Sequence, residues 1–299
     1  MNQKILNYYS QFSQYTDPGL YKDLFKVLPD EIESIGSLVL AQLIHRYDLD
    51  NIASGITKSP WYRQCEDDNF PTVAAILAEL YRRNRAGFIK DRLLQDRLVL
   101  TCRFVAILTA SILKSKGIPA RVRAGFAPYF CFNRFQGKSA THFIDQYWNN
   151  KEKRWITIDV DARSSWPGFN PYDISEGSFD FPADVWLDVR SGKEDGKRFC
   201  HFRISDLPAL PLIASKLFHD FFSLMNSESS YLHLPKKINF ENLANFSKLA
   251  GGELKEIDQL AYLMQNPDKN FEKLQEVWET NRDFRFLTGA LLSQDGSLS

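Results

Sequence analysis

The stretch LVLTCRFVAILTASILKSKGIPARVRAGF, residues 98–126, contains the pattern that decides the fold. A nearly continuous apolar run begins at Cys102 and ends in a segment with two lysines. Cations favour the last turn of a helix, Gly117 suits the left-handed residue that follows a helix, and Pro119 prevents continuation. The run therefore predicts a helix over residues 101–116, with Cys102 at its start.

Cys102 can be interpreted either as a reactive thiolate or as a buried apolar residue. A cysteine at the start of a helix faces unpaired backbone N–H groups and the positive end of the helix dipole. Such surroundings lower the pKa of a cysteine thiol from about 8.5 into the range of roughly 3.5 to 7.5, so the nucleophilic thiolate exists at neutral pH. Alternatively, Cys102 is a small buried apolar residue, as most free cysteines are.

A hairpin pattern about forty residues downstream favours the nucleophile. In THFIDQYWNNKEKRWITIDV, two strand-like segments flank the polar turn NNKE. A two- or four-residue loop centred between Asn150 and Lys151 places His142 directly opposite Asp159, with Cβ atoms roughly 4.5 to 5.5 Å apart. Asp161 shares the face of Asp159 but lies one diagonal away from the histidine, so it is the second choice of acid.

Together these residues form a candidate catalytic triad of Cys102, His142 and Asp159. A carboxylate that holds one imidazole nitrogen leaves the other nitrogen free to accept the thiol proton. The alternatives are a hydrogen-bonded strand histidine and an aspartate that ends a strand. We predict the catalytic roles because all three residues occur in suitable local contexts.

These motifs resemble those of a known family. The order of Cys102, the KGIPAR motif after its helix, His142, and Trp155 four residues before Asp159 resembles the transglutaminase-like superfamily of papain-type cysteine enzymes. The resemblance covers about residues 95–165. It implies an α+β fold in which the cysteine helix packs against an antiparallel sheet, and it implies acyl chemistry through a thioester.

The chain also departs from that family's pattern. Thr101 stands where a glycine commonly precedes the cysteine, and Val-Asp follows Asp159 in place of Pro-Thr. Acyl transfer also needs donors for the oxyanion. The backbone N–H of Cys102 can be one donor, and the resemblance makes Trp61 or Gln64 a candidate for the other.

Helical patterns flank the central strands on both sides. We predict a mostly helical region over residues 1–90, a transglutaminase-like catalytic core over residues 91–205, and a helical bundle over residues 206–299 that packs on the core. The first region includes predicted helices over residues 30–47 and 71–87.

The composition limits the classes of function. Thirty-seven basic and thirty-seven acidic residues cancel, so no bulk field attracts nucleic acid or a membrane surface. No segment has the length and apolar character of a leader or a membrane span, and the four cysteines form no local metal motif. We therefore expect a cytoplasmic protein without cofactor or metal, whose partner is a peptide, a protein or a small amide.

Two classes of function remain from the sequence. The first is a cysteine-dependent enzyme that acts on an amide or related acyl bond, either as a hydrolase of the peptidase type or as an acyltransferase to an amine. The second is a non-catalytic, transglutaminase-like interaction protein. The sequence leaves the substrate and the oligomeric state open.

Overall fold

The computed structural model describes most of the chain. The described residues are 2–46, 48, 61–63, 66–130, 135–162, 168–202, 207–231, 233–235, 238, 249 and 251–285. Within these ranges the fold is α+β, as predicted from the sequence. No helix in them has the length and apolar character needed to cross a bilayer.

Along the chain, a mostly helical region is followed by a region of strands and helices, and then by a second helical region. The helices are α1 (Gln3–Ser10), α2 (Ile32–Gln42), α3 (Val73–Arg83), α4 (Cys102–Ser115), α5 (Pro182–Arg190), α6 (Ala209–Leu224), α7 (Gly251–Met264) and α8 (Phe271–Thr280). The strands are β1 (Leu43–Ile44), β2 (Leu98–Val99), β3 (Ala120–Ala127), β4 (Ser139–Asn149), β5 (Arg154–Ile158) and β6 (Phe199–Cys200).

Helix α4 has the ends that its sequence predicts. It begins at Cys102 and ends at Ser115, and Gly117 follows with a positive φ of 74°. Its residues are buried from Cys102 to Lys114, because α2 and α3 pack on one side of it and the sheet on the other. Helix α4 is thus the centre of the main hydrophobic core.

The sheet has the antiparallel order β3-β4-β5, and β6 pairs in parallel with β4. The predicted register of the β4–β5 hairpin was wrong by two residues: Asn149 pairs with Arg154, so the loop spans residues 150–153. Asn149 Oδ1 accepts hydrogen bonds from the backbone N–H groups of Lys151 and Glu152, and Lys153 adopts a left-handed φ of 55°. The turn formed by the Asn149 side chain therefore places the loop closer to β5 along the sequence than predicted.

The predicted helix over residues 30–47 is shorter than expected. Its apolar periodicity continues to the end, but Leu43 and Ile44 form β1, which pairs in parallel with Leu98 and Val99 of β2. Tertiary pairing therefore overrides the local helical preference. Strand β2 lies just before Cys102, so this pairing helps to fix the start of α4.

The predicted C-terminal helices occur in the described residues as α6, α7 and α8. Residues 241–250 of the predicted bundle lie almost entirely outside the described residues. Gly251 and Gly252 form the first turn of α7.

Helix α6 packs along the open edge of β3. Asp220 accepts two hydrogen bonds from the Arg123 guanidinium, at 2.8 Å each, and a third from the backbone N–H of Ala124 at 3.0 Å. Asp220 is fully buried, so a buried ion pair attaches the helix to the sheet. This packing brings the residues that follow Asp220 toward the start of α4.

Candidate functional site

The first turn of α4 holds Cys102 in a fixed position. The preceding residue, Thr101, is extended with φ −89° and ψ 177°. The carboxylate of Asp67 accepts hydrogen bonds from the Thr101 backbone N–H at 3.1 Å and from its hydroxyl at 2.9 Å. Because any L-residue adopts this extended conformation, the helix start does not require the glycine that is common in the resembled family.

The second and third predicted site residues are in direct contact. His142 Nε2 lies 2.8 Å from Asp159 Oδ2, and both residues are buried. Tyr129 donates its hydroxyl to the same carboxylate oxygen at 2.6 Å, while Asp159 Oδ1 accepts from the backbone N–H of Asp161 at 3.0 Å. The carboxylate of Asp159 therefore has two donors on one oxygen and one on the other.

Cys102 is the third group of the arrangement, because it lies near enough to His142 to affect the pKa of the imidazole. Nε2 of the imidazole is engaged by Asp159, so Nδ1 is the nitrogen that remains for the thiol. Burial alone would lower the pKa of His142, but the charges and hydrogen bonds of Asp159 and Cys102 raise that pKa well above its usual value.

A tyrosine that follows α6 covers the start of α4. The Tyr231 hydroxyl lies 3.4 Å from Cys102 Sγ and 2.8 Å from the hydroxyl of Thr101, and it accepts a hydrogen bond of 3.2 Å from the Arg103 backbone N–H. Burial and the charge of Cys102 raise the pKa of Tyr231, so its hydroxyl keeps its proton at neutral pH. The hydroxyl has one proton, and both Thr101 Oγ1 and Cys102 Sγ lie within reach to accept it.

Arg103 attaches the tyrosine's segment to the helix. This fully buried guanidinium donates to the backbone carbonyls of Pro71 and Glu228, and it lies over the rings of Tyr15 and Phe104. The chain between α6 and Tyr231 is thereby held at the first turn of α4. Arg103, the residue directly after Cys102, therefore holds the segment that contains Tyr231 against the start of α4.

The two residues considered for the second oxyanion donor, and the three cysteines other than Cys102, remain to be described. The Trp61 side chain and Gln64 lie outside the described residues, as do Cys65 and Cys131. Cys200 is half-buried on β6, with its sulfur 3.7 Å from the Ser139 carbonyl oxygen.

Sequence reasoning missed Tyr129 and Tyr231 as site residues. Tyr129 lies in an aromatic-rich segment that equally suited a core, and its ring stacks on Phe169 with centroids 4.1 Å apart. Tyr231 belongs to residues 206–299, for which the sequence predicts a helical bundle that packs on the core. No local pattern marks it, because its contact with Cys102 spans 129 positions of the chain.

Comparisons with protein-family models, with curated proteins and with solved structures found no match for this chain.

Proposed function

We propose that this chain is a cysteine-dependent enzyme of the transglutaminase-like type, which acts on an amide or related acyl bond through a thioester intermediate. The observation that carries the proposal is the 2.8 Å contact between His142 and Asp159, with Cys102 at a helix start and near enough to affect the pKa of the imidazole. Nucleophile, base and orienting acid are the three groups that this chemistry requires.

In the proposed mechanism, His142 takes the thiol proton and Cys102 Sγ attacks the carbonyl carbon of the substrate. Asp159 stabilises the resulting imidazolium, and Tyr129 and the backbone of Asp161 hold the carboxylate in place. His142 then gives its proton to the leaving amine, which leaves a thioester on Cys102. Attack by water or by an amine on the thioester completes the cycle.

Negative charge develops on the acyl oxygen during both steps, so the site needs donors at that position. We assign one donor to the backbone N–H of Cys102 at the helix start. The Tyr231 hydroxyl, 3.4 Å from Sγ, is the candidate for the second. It replaces Trp61 and Gln64 in this role in the proposal.

A non-catalytic binding protein is the second candidate function. The observation that favours it is the burial of the site: Cys102 is 9% exposed, His142 is 3% exposed, and Tyr231 lies against the sulfur. In the catalytic proposal the Tyr231 hydroxyl has to separate from Sγ far enough to admit the acyl group, while still donating to the acyl oxygen. In the binding proposal the buried polar cluster only stabilises the fold.

Alkylation by iodoacetamide separates the two functions. The modified peptide that contains Cys102 is quantified by mass spectrometry, since the chain has four cysteines. The enzyme proposal predicts rapid labelling of Cys102 at pH 6 to 7 that falls by roughly tenfold or more in His142→Ala, because the thiolate then loses its counterion. A matched control is His45→Ala, which removes a half-buried histidine that packs on Phe202. Slow labelling that His142→Ala leaves unchanged would contradict the enzyme proposal.

A further inference from the structure

A buried lysine of α6 lies near the candidate site without a carboxylate partner. Lys216 is 2% exposed, and its Nζ lies 4.7 Å from the centroid of the Phe143 ring and 5.4 Å from that of Tyr231. Across the described part of the chain, no aspartate or glutamate forms an ion pair with it. The Nζ of Lys216 therefore faces two aromatic rings, which attract a cation but carry no net charge.

The other buried cations around it have hydrogen-bonding partners. Arg103 donates to backbone carbonyls, Arg123 binds Asp220, and Lys114 donates to the side-chain oxygen of Asn226 at 2.7 Å. A buried charge without such a partner is costly. Lys216 thus differs from its neighbours in a way that packing alone does not explain.

Cys102 is the group near Lys216 that can become negatively charged. Burial lowers the pKa of Lys216 to about 8, and Cys102 is the group whose charge opposes this shift. Tyr231 connects the two, because its ring lies by Nζ and its hydroxyl lies 3.4 Å from Sγ. Burial and the charges of Lys216 and Arg103 lower the pKa of His219, one turn further along α6, so this histidine is neutral at pH 7.

We propose that Lys216 is an electrostatic positioning residue for Cys102: its charge favours the thiolate, and then the oxyanion when negative charge moves from sulfur to the acyl oxygen. This inference rests on the proposed function. Attraction between the two charges is stronger here than in water, because both groups lie out of solvent. The lysine acts from the side of α6, independently of the imidazole.

Two alkylating agents of different charge test this role. Iodoacetamide is neutral and iodoacetate is an anion, so the ratio of their rates at Cys102 reports the local field. In Lys216→Met we expect the ratio of iodoacetate to iodoacetamide rates to fall by about tenfold relative to the wild type. We also expect the midpoint of the iodoacetamide pH profile to rise by about one pH unit, which is the same tenfold effect. An unchanged ratio and midpoint in a folded Lys216→Met protein would overturn the proposal.

Lys114→Met is the matched control. It removes another buried lysine, one that faces Glu228 and Asp145 instead of Cys102, so the ratio should stay at the wild-type value. A fall equal to that in Lys216→Met would also overturn the proposal.

Lys216→Arg provides a test that does not depend on the methionine variant folding. The wild-type ratio should decline as the pH rises through about 8, where Lys216 loses its proton, whereas the arginine variant should hold a higher ratio up to pH 9.5. Identical pH curves for the two proteins would contradict the proposal. If His142→Ala slows labelling but the lysine variants do not change the ratio, this inference fails and the proposed function stands. If Cys102 of the wild-type protein is labelled slowly, and neither His142→Ala nor the Lys216 variants change its labelling, both the proposed function and this inference fail.

Discussion

His142 Nε2 and Asp159 Oδ2 lie 2.8 Å apart although the two residues are not paired across the hairpin. The observed ladder ends at Asp145 and Ile158, and its register places Asp159 one diagonal away from the histidine. A shift of two residues keeps the same face of the strand, because side chains alternate with a period of two. The predicted pair therefore meets despite the wrong register.

Replacement of Asp159 should slow acylation of Cys102 far more than replacement of Asp161. Asp159→Asn removes the acceptor that fixes the His142 tautomer, so we expect thioester formation with an activated acyl ester to slow by roughly 10²-fold or more. Asp161→Asn keeps the backbone N–H that binds Asp159, so we expect less than about a threefold change. The rates are measured as acylation of the Cys102 peptide by p-nitrophenyl acetate. Equal losses in both variants would refute the assignment of Asp159.

Tyr231→Phe should separate acylation from alkylation. Acylation creates an oxyanion and alkylation does not, so loss of the hydroxyl should slow acylation by p-nitrophenyl acetate by about 10²-fold and change iodoacetamide labelling of Cys102 far less. Tyr262→Phe, at a tyrosine that is 62% exposed, serves as the control. Equal changes in the two reactions would show that Tyr231 acts on access to the sulfur and not on the oxyanion.

The pH dependence of stability should contain a contribution from His142. Its pKa is raised in the folded protein, so the fold binds the imidazole proton more tightly than the unfolded chain does. The stabilisation is fully present below the unfolded pKa of about 6.5 and is lost as the pH rises through the folded pKa. We expect the free energy of unfolding, from urea titrations between pH 5 and 10, to lose this component in His142→Gln. Parallel curves for the two proteins would contradict it.

Two arginine–aspartate pairs with similar geometry should differ in their contribution to stability. Asp220→Ala leaves the buried Arg123 without its partner, and we expect a loss of about 3 to 5 kcal/mol in the free energy of unfolding. Asp173→Ala removes the partner of Arg154, whose side chain is 44% exposed, so we expect about 1 kcal/mol or less. Urea denaturation measures both. Similar losses would show that α6 is not attached to β3 through the buried pair.

Gly125 is the cross-strand partner of His142 and has no space for a side chain. An added Cβ would lie 2.6 Å from the backbone oxygen of Asp180, which is itself bonded to the backbone of Phe126. We expect Gly125→Ala to lower the free energy of unfolding by about 1 to 3 kcal/mol. Gly252→Ala, in the open first turn of α7, should be neutral or raise it by up to about 1 kcal/mol. The two variants are compared by thermal denaturation, and a neutral Gly125→Ala would contradict the crowding.

Local sequence determined the parts of the site that depend on short-range physics. Helix α4 has its predicted ends because the apolar run and Gly117 act within one or two turns. The strand that contains His142 and the strand that ends just before Asp159 follow from β-branched and aromatic patterns on either side of a polar turn. The register was missed because the side-chain turn at Asn149 and the left-handed Lys153 are choices among similar loops.

Only the tertiary structure decided which groups surround the sulfur. Lys216 lies in α6 and Tyr231 in the segment that follows it; neither carries a local sign of a site, and packing of α6 on β3 brings them near Cys102. The β1–β2 ladder likewise replaces the end of a predicted helix. Such contacts join residues far apart in the chain and depend on burial and on the pairing of charges, which a short sequence window does not contain. The sequence thus determined the helix start that carries Cys102, and the packing of distant elements determined the electrostatic environment of its thiol.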